Sequence, residues 1–310
     1  MSLPTDTVSG TKDYDFDTVD PLIKSVITQG LTKSSHNLSD VRPHCTATNC
    51  TFSQYSTLGV CASTEDFTSH IVPRCGYANY DDSGHAVDCT YTIDALQDHP
   101  GFRPTRFTDM DVLLGASALN ARTVKPTGLH RWYDAYELPD NDALSEIYIL
   151  YVPSEKGAKD LNLNTTLRAL KGTFRLCIYD LETSVSNGQT HTMAVKVHDD
   201  LDWQVDQWPP GLQSSLKWGV HTTLPNDPEK QIFRMDGSVR QAFTNYMAGG
   251  VFFGKWYRGP KDYGGDSTDN FAARAIGLAM YENSISGAKF VGTRGVDDLL
   301  ENVALGITNA

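Results

Sequence analysis

Apolar and polar positions follow a helical period at the two ends of the chain and a strand period between them. The run Asp20-Pro21-Leu22-Ile23-Lys24-Ser25-Val26-Ile27-Thr28-Gln29-Gly30 places Leu22, Ile23, Val26 and Ile27 on one helical face. Asp20 can cap this helix, Pro21 suits its first position, and Gly30 ends it. Residues 1–19 are polar and acidic and read as a flexible arm.

Strand signals dominate from Leu144. Glu146 to Val152 is a dense β-branched and aromatic run, and Thr173 to Tyr179 alternates Phe174, Leu176 and Ile178 with Arg175, Cys177 and Tyr179. Thr192 to His198 alternates around Met193, Val195 and Val197. Asn187-Gly188 lies between these last two runs and predicts a hairpin, because both residues tolerate the positive φ of a type I′ turn. Trp218 to Thr223, Val251 to Tyr257 and Ala288 to Gly292 are further strand-like runs.

Helical spacing returns after Ser238 (Val239, Ala242, Phe243, Tyr246, Met247, with Gly249 as a stop), over Ser267 to Tyr281, and in the stripe Val296, Leu299, Leu300, Val303, Ile307. By contrast, His44 to Thr92 is rich in Cys, Gly, Ser, Asn and Asp without clear periodicity, which predicts an irregular, stapled segment. The expected fold class is α+β: a largely antiparallel β-sheet core, flanking amphipathic helices and a disulfide-stapled irregular N-terminal region. One ectodomain over 20–310 is expected, with a Cys-rich subregion at 20–92 and the sheet and C-terminal helices at 93–310.

Composition fits a water-soluble globule large enough to bury a core: 310 residues, 34.2 kDa, 40% hydrophobic, mean hydropathy -0.35. The formal charge of -12 comes with no block of basic residues, which argues against nucleic acid and anionic lipid as partners. A glycan, a cell-wall component or another extracellular ligand remains compatible. No stretch of eighteen apolar residues is present, so a membrane could be engaged only through spans outside this chain. The polar first twenty residues also lack the apolar core of a signal peptide, which leads to the expectation of an excised segment of a membrane protein.

Location is addressed by sulfur and sequons. The six cysteines Cys45, Cys50, Cys61, Cys75, Cys89 and Cys177 make an even set suited to disulfides in an oxidising compartment; their spacing leaves fifteen pairings open. The same spacing is a poor match to a zinc site, and no Cys and His motif marks a nucleophile. Asn37-Leu-Ser39, Asn49-Cys-Thr51 and Asn164-Thr-Thr166 are N-glycosylation sequons. Asn164 sits in a polar link and is the best of the three, whereas Asn49 abuts Cys50.

Other motifs dissolve on inspection. Gly249 to Trp256 has phosphate-loop spacing but Trp256 replaces the hydroxyl that would hold magnesium. Asp13-Tyr-Asp15-Phe-Asp17 begins like a calcium loop, yet Thr18 and Lys24 stand where Gly and Glu are needed. His198-Asp199-Asp200-Leu-Asp202 could hold a hard cation but reads more simply as a charged turn. Serine-hydrolase and zincin signatures are absent from the sequence, and no catalytic residue, cofactor or metal ligand is nominated. Trp132, Tyr133, Tyr136, Trp203 and Trp208 lie in polar surroundings where exposed rings could stack on a sugar face.

Several of these pieces together resemble a known family. They are Asp20-Pro21 before a short helix, Cys45-Thr-Ala-Thr-Asn-Cys50-Thr-Phe52 with Leu58-Gly59-Val60-Cys61, Cys89-Thr-Tyr-Thr92, Leu176-Cys177-Ile178-Tyr179, and Glu301-Asn302-Val303-Ala304 with Thr308-Asn309. The pattern is similar to the fungal membrane-protein family called domain of unknown function 3176. The similarity runs from about Asp20 to the C-terminus and is most specific over Cys45 to Cys61. It implies a large glycosylated loop between membrane spans, at the extracellular face of the plasma membrane or the lumenal side of the secretory or vacuolar system. The family pattern carries two further cysteines where this chain has Thr64 and Gly172. Their joint absence implies that they form one bridge in relatives, which places the Cys61 region beside the strand holding Cys177. The resemblance brings no chemistry. The expected role is a non-catalytic ectodomain in surface sensing, adhesion or cell-wall and ligand binding, the alternative being an extracytoplasmic carbohydrate-active hydrolase or a lectin-like module.

Overall fold

The structure, a computed structural model, describes residues 21–31, 45, 48–78, 86–93, 112–117, 142–153, 167–205, 219–225, 231–247, 251–252, 254–256, 271–284 and 287–308. Its main sheet is organised by one strand of nineteen residues, β7 (Arg168–Ser186). Along one edge, β7 pairs with β1 (Cys50–Thr51) and β2 (Tyr55–Asp66). Along the other it pairs with β6 (Ala143–Tyr151) near its start and β8 (Gln189–His198) near its end. β5 (Val112–Ser117) and β12 (Gly254–Trp256) continue the sheet beyond β6, and every pairing is antiparallel.

The alternation along β7 sends successive side chains to opposite faces. Leu170, Phe174 and Leu176 enter the larger core with Leu144, Ile147, Ile149 and Tyr151 of β6. Ala169 enters a second core on the other face, where Tyr148, Leu150 and Val152 meet Tyr91 and Ile93. Those two belong to a separate hairpin, β3 (Ile71–Ala78) with β4 (Ala86–Ile93). Two small sheets complete the strands: β9 (Gln204–Val205), β10 (Val220–Thr223) and β11 (Ile232–Met235), and the pair β13 (Tyr281–Ser284) and β14 (Gly287–Phe290).

Four α-helices occur among the described residues: α1 (Pro21–Gly30), α2 (Gly237–Tyr246), α3 (Phe271–Met280) and α4 (Arg294–Thr308). The stripe Val296, Leu299, Leu300 and Val303 of α4 is buried in the larger core, joined by Ile27 of α1 and Ile276 of α3. Helix α2 is anchored by buried Arg240, whose guanidinium donates to the Ala143 carbonyl at 2.9 Å; burial pulls its pKa down to about 10, so it stays charged at neutral pH. Tyr281 stacks on Trp256 at 5.2 Å and donates to the Val152 carbonyl at 2.7 Å, tying the chain after α3 to β6 and β12.

Helix α4 also closes the open edge of β2. The Val60 N–H points away from β7 and donates to Thr308 Oγ1 at 2.9 Å, so a backbone donor on the sheet edge is satisfied by a side chain of the last helical turn. Gly59 makes this approach possible. A Cβ there would come within 2.6 Å of the Tyr179 ring and 2.8 Å of Thr308 Cγ2.

The α+β class, the antiparallel sheet and the disulfides agree with the sequence expectation. The Cys-rich segment is more regular than expected, because β1 to β4 all lie within it. The register explains why the signal was faint. β2 is an edge strand built largely of Ser, Thr, Gly and Ala, and its order comes from twelve residues paired with β7 rather than from its own apolar alternation. The same pairing carries the Cys-rich subregion into the main sheet. The stretch that imitates a phosphate loop ends in β12, where Lys255 pairs with Leu113.

Candidate functional site

All six cysteines are bonded, as Cys45–Cys50, Cys61–Cys177 and Cys75–Cys89. Cys61 stands opposite Arg175 and Gly59 opposite Cys177, so the Cys61–Cys177 bond runs diagonally between β2 and β7 across 116 residues of chain, with Cα atoms 5.9 Å apart. Cys177 is fully buried beside Tyr179 and Leu181. Burial pushes the Tyr179 hydroxyl up to about 12, which keeps it protonated and donating to the Val60 carbonyl at 3.2 Å. Cys75 and Cys89 face each other directly across β3 and β4.

Asn49 is the sequon residue that the described structure includes; Asn37 and Asn164 lie outside the described residues. The side chain of Asn49 is exposed and its Oδ1 accepts the Asn187 N–H at 2.9 Å, which leaves the amide nitrogen, the atom a glycan joins, out of that bond. Asn187 and Gly188, at φ 53° and 75°, form the two-residue turn between β7 and β8. The Gly188 N–H meets the Thr48 carbonyl at 3.4 Å, so the hairpin tip and the Cys45–Cys50 loop meet at one end of the sheet.

The aromatic proposal changes at Trp203. This ring is only 3% exposed and belongs to the larger core, so it is a packing residue and not a ligand contact: the polar residues around it in sequence turn outward while the indole turns in. Trp132, Tyr133, Tyr136 and Trp208 lie outside the described residues.

A constellation missed from sequence lies where β2, β7 and β8 meet. Asp180 Oδ1 accepts the Ser56 hydroxyl at 2.6 Å, and Asp180 Oδ2 lies 2.9 Å from His198 Nε2, with both acidic and imidazole side chains 13% exposed. Burial alone would raise the Asp180 pKa, but the bonds from Ser56 and His198 and the charge of Lys196 outweigh it and hold the carboxyl below its usual value. An ionised Asp180 can only accept, so the proton of this contact lies on His198 Nε2. The carboxylate, not the imidazole, sits in the middle. Ser56 therefore gives its hydrogen bond to Asp180, and the order needed for a histidine to activate a serine nucleophile is absent. No group of three or more His, Cys, Asp or Glu side chains among the described residues is arranged to hold a metal ion, Asp199, Asp200 and Asp202 included. The separations of 124 and 18 positions explain why no local motif announced this cluster.

A second polar cluster lies on the face covered by the β3–β4 hairpin. Lys171 binds Glu146 at 2.8 Å and Glu65 at 3.3 Å, Tyr148 donates to Glu146 at 2.6 Å, and the Phe67 ring lies 5.7 Å from the ammonium and stacks on His70. Burial works against the charge on Lys171, but the two carboxylates overcome it and its pKa is raised. Farther along, β8 carries Met193, Val195 and Val197 at 60%, 47% and 42% exposure. A register shift between Asp180 and Leu181 breaks the alternation there: Met193 stands opposite Glu182 and Val197 opposite Tyr179, on different faces. Compared with family models, with curated proteins and with solved structures, the chain matches none.

Proposed function

We propose that this chain is a non-catalytic, disulfide-bonded, N-glycosylated ectodomain of a fungal integral membrane protein, acting in surface sensing, adhesion or cell-wall contact. The observation that carries the reading is the complete oxidation of its six cysteines, including a bond between core strands 116 residues apart. Such bonds are consistent with an extracellular or lumenal compartment. No helix among the described residues is long and apolar enough to cross a membrane, so in this reading the spans belong to parts of the protein outside this chain. The direct pairing of Thr64 with Gly172 agrees with the bridge that the family resemblance implies for relatives.

The carbohydrate-hydrolase alternative has less support. Glu65 and Glu146 are brought near each other by the fold, but both are engaged by Lys171 rather than held apart as an acid and a nucleophile or base. A lectin-like role stays within the same proposal, with glycan as the ligand class.

The test is secretion from yeast followed by peptide mapping under non-reducing conditions and a glycan-array screen. Three intact bonds, glycan on Asn49 or Asn164 and binding to a defined wall polysaccharide are expected. Six alkylatable thiols in the native protein together with unmodified sequons would sink the reading.

A further inference from the structure

The three disulfides differ in their access to solvent. Cys75 is the one exposed cysteine of the six; Cys177 is fully buried, and Cys45, Cys50, Cys61 and Cys89 are half-buried. Cys75 and Cys89 also sit in a different setting from Cys61 and Cys177. They join the two strands of a hairpin that shares no strand pairing with the main sheet, whereas Cys61 and Cys177 join strands paired over twelve residues. A two-stranded hairpin is marginal by itself. This one is held by Tyr91, Ile93, Ile71 and Cys89 packing over Tyr148, Leu150, Leu167 and Ala169.

We propose that Cys75–Cys89 is a thiol-exchange site, reduced in the folded protein by an external dithiol while Cys61–Cys177 stays intact, and that its reduction loosens the β3–β4 hairpin over the second core. Exchange needs a thiolate to reach a sulfur, so access decides which bond reacts first. The dithiol attacks Cys75 Sγ, a mixed disulfide forms, and the electron pair of the broken bond leaves on Cys89, which takes a proton from solvent. The second thiol of the reductant then displaces Cys75 as a thiolate. The reductant ends as a cyclic disulfide, and the protein ends with two thiols. Loss of the cross-strand link leaves the hairpin with its backbone ladder and its contacts over the second core, and the side chains it covers, Tyr148 and Leu150 of β6 and Ala169 of β7, become accessible when it opens. The site is independent of what ligand the domain binds.

The experiment titrates the native, fully oxidised protein with dithiothreitol in the absence of denaturant, alkylates with iodoacetamide, and maps the labelled peptides. Cys75 and Cys89 should be labelled at reductant concentrations at least tenfold below those that label Cys61 and Cys177, with the far-ultraviolet circular dichroism unchanged. Simultaneous labelling of all four, or labelling only after the circular dichroism signal is lost, would overturn the proposal. Hydrogen exchange on Cys75→Ser/Cys89→Ser reads the second half. Protection should fall more than tenfold in β4 and be retained in β2; unchanged protection in β4 would remove the hairpin-opening step. If that variant fails to fold, hydrogen exchange on the selectively reduced wild type gives the same reading.

Discussion

Thr64 of β2 lies directly opposite Gly172 of β7, and the Thr64 hydroxyl bonds to Asp297 of α4 above them. A Cβ on Gly172 would meet Leu300 Cδ1 at 2.6 Å, so the end of that buried side chain must shift to admit it, while the direct pairing of the two positions suits a cross-strand bond. Thr64→Cys/Gly172→Cys should therefore form a fourth disulfide. Its benefit to the wild type should be small, because Cys61–Cys177 already closes nearly the same loop and little further entropy is removed. In a Cys61→Ser/Cys177→Ser background, which should itself lose about 2–4 kcal/mol, the new pair should restore most of the loss. Urea denaturation of the four proteins checks this, and equal gains in both backgrounds would contradict it.

Gly59 sets a second expectation. Gly59→Ala places a methyl within 2.6 Å of the Tyr179 ring and 2.8 Å of Thr308 Cγ2, so a destabilisation of about 1–3 kcal/mol is expected from overpacking. Thr308→Val removes the partner of the Val60 N–H and should cost about 1 kcal/mol. Both act at one contact, so the double variant should lose less than the sum of the two in thermal denaturation.

Asp180 makes stability depend on acid. Its folded pKa is depressed below 3.8, so the contribution of the carboxylate is present above that value and is lost as pH falls through the folded pKa. The stability difference between wild type and Asp180→Asn should shrink as pH is lowered from 5 to 2. A difference that is flat over that window would mean the bonds from Ser56 and His198 hold nothing in the fold.

Trp203 separates packing from recognition. Trp203→Ala should lose about 3–5 kcal/mol by emptying part of the larger core. Any ligand affinity measured at a temperature where the variant is still folded should be unaffected, and a selective loss of binding without a loss of stability would return the ring to the list of contacts.

Legibility tracked how locally each element is specified. The β7–β8 hairpin was readable because Asn187-Gly188 names its own turn, and α4 because Val296, Leu299, Leu300 and Val303 repeat at helical spacing. β2 was not readable, since Ser56, Thr57, Gly59 and Ala62 carry no apolar alternation and take their conformation from a partner strand more than a hundred residues away. The same distance hid Ser56, Asp180 and His198. Asn49 was visible as a sequon, but its hold on the Asn187 N–H depends on the meeting of β1 with β7 and could not be. Trp203 was misplaced because sequence neighbours report the polarity of a loop and not the direction of one ring.

The hydroxyl that seals β2 comes from Thr308, some 250 residues after the strand it protects. During synthesis that strand emerges well before α4, so its margin stays uncovered until the helix has been made. A molecule cut before that helix therefore leaves the Val60 amide bare on the strand's outer margin, where a neighbouring chain could pair with it.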